Sequence, residues 1–191
     1  MNIKLTHSFL LTAYDVDALL KDCNLLSTFC NRLVKQSEQH PDRQDPLKYR
    51  GDAFELFTEA LIKLSPIDNR IGIYDYQNAP PDCPGVDGFG KGSNGKPATV
   101  QCKFVSKHDD VLTATGNLSN FVNQSFLKFS VDVQDTQNLL VVTTAKGLHH
   151  YTDTTMFDGK VRCLGHEELR AIVDNNFAFW DQFRQLVKTV N

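Results

Sequence analysis

The sequence contains no CxxC pair, and its five cysteines, Cys23, Cys30, Cys83, Cys102 and Cys163, are odd in number and widely spaced. That excludes a zinc finger, a zinc ribbon or a thioredoxin-like redox site, and it predicts reduced thiols in a cytosolic or nuclear-type compartment. Cys23 and Cys30 are expected two turns apart on the buried side of one helix. No stretch reaches the roughly 18 consecutive apolar residues of a membrane span. The start, MNIKLTHSFLLTAYDVD, has neither a long apolar run nor a small-residue cleavage pattern. The expected location is therefore cytoplasmic or nucleoid-associated, neither secreted nor membrane-bound, and the sequons at Asn117 and Asn123 carry no glycan meaning. A basic excess is also missing: the formal charge is -3, so composition gives no evidence for nucleic acid and any basic groove must be local. Repeats and low-complexity tracts are absent.

What is present is a globular composition of 41% apolar and 23% charged residues over 191 positions, enough to bury a core without staples. A single domain is expected over 1–191, with a helical extension at 1–47, a core at 48–175 and a C-terminal helix at 176–191. Val16, Leu19, Leu20, Cys23, Leu26, Cys30, Leu33 and Val34 recur at three and four, which predicts one long helix from Asp15 to Gln39 capped by Asp15 or a neighbour. The polar HPDRQDPLKYRGD, with Pro41 and Pro46, reads as a loop. A second helix follows from Asp52 to Leu64, ended by Pro66.

IGIYDY at 71–76 and VDGFG read as strands, and Asn94-Gly95 marks a hairpin turn into ATVQCKFV at 98–105. Along that last strand Val100, Cys102 and Phe104 share one face, and Gln101, Lys103 and Val105 share the other. SNFVNQSFLKF reads as a helix with Phe121, Val122, Phe126 and Phe129 inward. NLLVVTTA at 138–145 is a continuous apolar run, as in a strand covered on both faces. VRCLG is a shorter strand, and one or two helices close the chain, with Phe177, Phe179, Trp180 and Phe183 as core. The order predicts an α/β fold with a mixed sheet and helices on both sides.

The chemistry-bearing residues fall in succession. Asp87 ends a short strand beside glycines, Gln101 and Lys103 project from one face of its hairpin partner, and Glu55 lies on the polar side of the preceding helix, with Glu59 one turn later as a surface acid. Two acids, an amide oxygen and an ammonium at one sheet edge suit a hard divalent ion and its phosphate substrate. A protonated lysine is no ligand, but it can hold or activate the attacking water. Each residue also has a plain structural use: Asp87 as a turn former, Gln101 and Lys103 as the exposed face of an edge strand, Glu55 as a solvated acid.

On these residues the chain resembles the PD-(D/E)XK, or restriction-endonuclease-like, nucleases, and within them the Mrr-like branch that uses QxK. The matching pieces are Gly51-Asp52-Ala53-Phe54-Glu55, Pro84-Gly85-Val86-Asp87-Gly88 and Gln101-Cys102-Lys103, with NLLVVTTA and VRCLGHEEL as the later strand and helix, in all about residues 48–175. The resemblance implies a restriction-endonuclease-like three-layer fold, a central mixed β-sheet flanked by helices. It further implies an Mg²⁺-dependent deoxyribonuclease, with Mn²⁺ as substitute. Its metal would sit on Glu55, Asp87, Gln101 and the carbonyl of Cys102, and Lys103 would assist the water. Two departures stand: the motif proline is displaced to Pro84, and neutral Gln101 replaces a carboxylate, so Glu55 carries more of the metal binding. Implied partners are DNA, a fused or associated helicase or recognition domain, and a second copy in a homodimer. The rival reading is a catalytically silent nucleic-acid-binding or assembly module of the same fold. Lesser candidates are Lys107 and His108 as phosphate contacts, Gln124 near the site, and Asp75 and Asp82 as reserve acids. His149, His150 and Asp153 lack ligand spacing. GFGKGSNGK lacks the P-loop order and reads as a hairpin near the DNA backbone.

Overall fold

The computed structural model describes residues 3–9, 11–39, 45–65, 68–135 and 137–189. Its strands are β1 (Ile73–Asn78), β2 (Gly88–Gly92), β3 (Pro97–Lys103), β4 (Val111–Leu112), β5 (Leu139–Thr143), β6 (Gly147–Leu148) and β7 (Arg162–Leu164). The helices are α1 (Ala13–Leu20), α2 (Leu26–Gln39), α3 (Pro46–Leu64), α4 (Asn117–Phe129), α5 (His166–Val173) and α6 (Phe177–Thr189), with a short π-type turn at Thr152–Met156.

Five strands form a mixed sheet in the order β1-β2-β3-β5-β7. β1, β2 and β3 make an antiparallel meander, and β5 and β7 continue it in parallel. The β2–β3 turn forms at Asn94-Gly95, where Gly95 takes φ +77°, a conformation that costs glycine little. Helices cover both faces. Val100, Cys102, Leu140 and Val142 pack with α1, α2, α3 and α6, whereas Leu139 and Val141 pack with Leu118 and Phe121 of α4. The alternating contributions of β5 to two cores explain why its sequence is apolar at every position. On the first face the rings of Phe29 and Phe57 stack at 5.2 Å, and Phe183 meets Phe57 edge-on at 6.0 Å. Trp180 is core, as expected, and its indole N–H is satisfied by Val173 O at 2.8 Å.

Several local expectations are corrected. The apolar periodicity from Asp15 to Gln39 spans two helices, because Asp22 adopts φ +52° and turns the chain. Thr12 caps α1 in a reciprocal pair with Asp15. Cys23 lies in the connection and Cys30 on α2; both are buried, and all five cysteines are free thiols. α3 starts at Pro46, not Asp52, since Asp45 accepts the N–H groups of Leu47 and Lys48 and proline suits the first helical turn. Phe126 and Phe177 are 57% and 63% exposed rather than packed. The loop residues 40–44, Pro41 among them, and the expected stop at Pro66 lie outside the described residues. Among the described residues no helix is long and apolar enough to cross a membrane.

Candidate active site

The β2–β3 hairpin brings three of the expected residues together. Asp87 stands immediately before β2, at the strand's start rather than its end. Its N–H bonds Val100 O and its carbonyl accepts from Ala79, both at 2.9 Å, so the backbone is paired on both sides. The approach to Asp87 is tight. Gly85 has φ +93°, and a Cβ there would lie 2.5 Å from Asn117 O at the start of α4. Gly85→Ala is therefore expected to lose about 2 kcal/mol through left-handed strain and displaced backbone, seen as a lower thermal midpoint.

Beyond Asp87 the β2–β3 ladder stops, and the carboxylate takes over its role. Asp87 Oδ2 accepts the Cys102 N–H at 2.6 Å and the amide Nε2 of Gln101. Within a strand the N–H and C=O of one residue point the same way, so the Cys102 carbonyl faces this side too. It lies 3.3 Å from Gln101 Nε2. The Cys102 side chain belongs to the core behind the sheet, where burial raises its thiol pKa far above the ordinary range; it is no nucleophile. Gln101 is not an exposed edge residue, as β3 lies inside the sheet. Its side chain is fully buried, and its Oε1 has no hydrogen-bond partner. Thr99, on the same face, bonds Ser125 of α4 at 2.7 Å, which fixes the face carrying Gln101 and Lys103 as the α4 side.

Glu55 approaches from the α3 layer. Its Oε2 lies 3.0 Å from His7 Nε2. The Asp87 carboxyl is pushed up to about 7, first by burial and then by the negative charge of Glu55; the Cys102 N–H, the Lys103 ammonium and the Gln101 amide offset only part of this. Two acids that repel across a half-buried site form a place where a cation is stabilising. Among the described residues Lys103 makes no ion pair, so its charge remains available to the site.

Glu59 is not a surface acid. It is fully buried and accepts from Thr6 N and Oγ1, His7 N, Lys63 Nζ and Asn78 Nδ2. Sequence reasoning missed both this anchor and His7, because partners 48 to 53 positions apart leave no periodic trace. Asp75 and Asp82 are engaged in exposed pairs with Lys91 and Lys128. His108 bonds Thr144 O at 3.1 Å and stacks on His166 at 4.1 Å, while His149 and His150 face solvent and Gln124 is half-buried on α4.

Comparison with protein-family models, curated proteins and solved structures gives no match. Among the described residues no group of three or more His, Cys, Asp or Glu side chains is placed to hold a metal ion. The set here is of a different kind: two carboxylates, an amide and a main-chain carbonyl. It fits a hard divalent ion by two signs, the elevated Asp87 carboxyl and the orphaned Gln101 Oε1. In the structure the Gln101 NH₂ sits against Asp87 Oδ2 and Cys102 O; a half-turn of the amide puts Oε1 there instead, completing an oxygen set.

Proposed function

We propose that the chain is a metal-dependent DNA endonuclease with a restriction-endonuclease-like fold of the Mrr-like branch. The observation that carries the reading is the half-buried, repelled Asp87 carboxyl, bonded by Gln101 and Cys102 and within the fields of Glu55 and Lys103. Glu55, Asp87, Gln101 Oε1 and the Cys102 carbonyl would hold Mg²⁺, with Mn²⁺ as substitute. Bound there, the ion supplies Lewis-acid polarisation of a phosphodiester. Lys103, two residues beyond Gln101 on the same face and about 7 Å along the strand, orients the attacking water and offsets charge on the phosphate. Lys107 and Lys146, both exposed, extend this positive character beyond the carboxyl ends of β3 and β5. With a net charge of -3, DNA grip and selectivity then come in part from a fused or associated helicase or recognition domain, or from a second copy in a homodimer.

One observation favours a second reading, a silent nucleic-acid-binding module. The Gln101 amide already satisfies Asp87 without any ion. A cleavage panel separates the two. Plasmid, linear, single-stranded and forked DNA are incubated with Mg²⁺, Mn²⁺ or EDTA, using wild type and Lys103→Ala. The nuclease reading expects cutting with either metal, none in EDTA, and a loss of about 10²-fold or more for Lys103→Ala. DNA binding without cutting on every substrate would establish the silent module instead.

A further inference from the structure

The geometry points to His7 as the positioning residue for Glu55, an inference that rests on the site reading above. His7 belongs to the irregular segment before α1, and its side chain is 8% exposed. The Phe9 N–H donates to His7 Nδ1 at 2.9 Å. A ring nitrogen that accepts a hydrogen bond carries no proton, so in the neutral imidazole the proton sits on Nε2. That nitrogen lies 3.0 Å from Glu55 Oε2, so the neutral ring donates to the carboxylate. The hydrogen bond fixes one oxygen of Glu55. The other makes no hydrogen bond among the described residues and is left for a cation.

The imidazole is itself held from behind. The main-chain N–H of His7 donates to Glu59 Oε2 at 3.0 Å, and Thr6 beside it donates twice to Glu59 Oε1. α3 therefore carries, one turn apart, an acid for the site and an acid that clamps the segment supplying its orienting group. A glutamate side chain on a half-exposed helix face otherwise samples several rotamers, and ordering them on ligand binding costs affinity. Donors that orient a ligating carboxylate typically contribute about 10–100-fold in metal affinity.

His7→Asn and His7→Gln separate this role from folding. Asparagine keeps an acceptor near Nδ1 for the Phe9 N–H but has no donor that reaches Glu55; glutamine places an N–H donor near the Nε2 position. Mn²⁺ affinity is measured by direct titration, alongside the Mn²⁺ concentration for half-maximal cleavage and the thermal midpoint in EDTA. His7→Asn should raise both metal values about 10-fold or more, and His7→Gln should stay within about 3-fold of wild type. The EDTA midpoint of His7→Asn should stay within about 4 °C. Wild-type metal values for His7→Asn, with Asp87→Ala defective, would overturn the His7 role alone. Equal defects in both His7 variants with an unfolding shift in EDTA would also overturn it, leaving only a structural part. Mn²⁺ binding unchanged by Asp87→Ala, or absent in wild type, would remove the site reading and this inference together.

Discussion

Asp87→Asn is expected to give a protein that no longer cuts DNA and is more stable than wild type above pH 7. The Asp87 carboxyl titrates near 7 in the folded chain, against an ordinary value of about 4. Between those values the folded state keeps a proton that the unfolded state has released. Stability from this group is therefore greatest at low pH, falls as pH rises from about 4 to 7, and stays low above. Asparagine keeps an oxygen to accept the Cys102 N–H and the Gln101 amide while removing the charge. At pH 8 the gain should be about 2 kcal/mol, or about 4–8 °C in a chain of this size, and the two midpoints should converge toward pH 4. Mg²⁺ should raise the wild-type midpoint at pH 8 and raise that of Asp87→Asn much less, since the variant keeps only the Glu55 charge of the two that repel in the wild type. Cleavage should fall at least about 10³-fold. An Asp87→Asn protein no more stable than wild type at pH 8 would refute the desolvated acid; one that still cuts would refute the placement of Asp87 in the catalytic metal site.

The order of elements was legible in the sequence because the strongest signals were local. The apolar run at β5, the Asn94-Gly95 turn and the two-residue alternation of β3 each reflect backbone periodicity, and each reappears in the structure. The same alternation placed Gln101 and Lys103 on the face opposite Val100 and Cys102. Failures came where the pattern carried no mark. Leu20, Cys23 and Leu26 keep helical spacing across the left-handed Asp22, so the break between α1 and α2 was silent. Pro46 looked like a helix breaker, though with Asp45 before it the pair forms a start. The depth of the site was also hidden. Burial of Gln101 follows from β5 pairing on its far side, and that pairing is set about 40 residues later in the chain.

Glu59→Ala is expected to be among the most destabilising single changes at a polar position, and to weaken the site without touching it. The Glu59 carboxylate pays a desolvation penalty larger than any single contact, yet the Lys63 ion pair and the Thr6 donors together still hold its pKa below the ordinary value. Alanine would leave the Lys63 ammonium, two backbone N–H groups and the Asn78 amide without their acceptor. Loss of one partner from a buried ion pair costs about 3–5 kcal/mol, which corresponds to about 6–20 °C in thermal midpoint for a chain of this size. The pH dependence is opposite in sign to that of Asp87. A depressed carboxyl contributes stability above its unfolded value of about 4.3 and loses it as pH falls through the lower folded value. Glu59→Gln, which cannot ionise, should therefore lack this part of the wild-type acid unfolding limb. Because the clamp also holds His7, a Glu59→Ala protein that remains folded should need more Mn²⁺ for half-maximal cleavage, as His7→Asn does. Calorimetry across pH 3–8 checks the first claim, and a metal titration checks the second. A midpoint within about 2 °C of wild type at pH 7 would show that the network of Thr6, His7, Lys63 and Asn78 does not depend on its central acid.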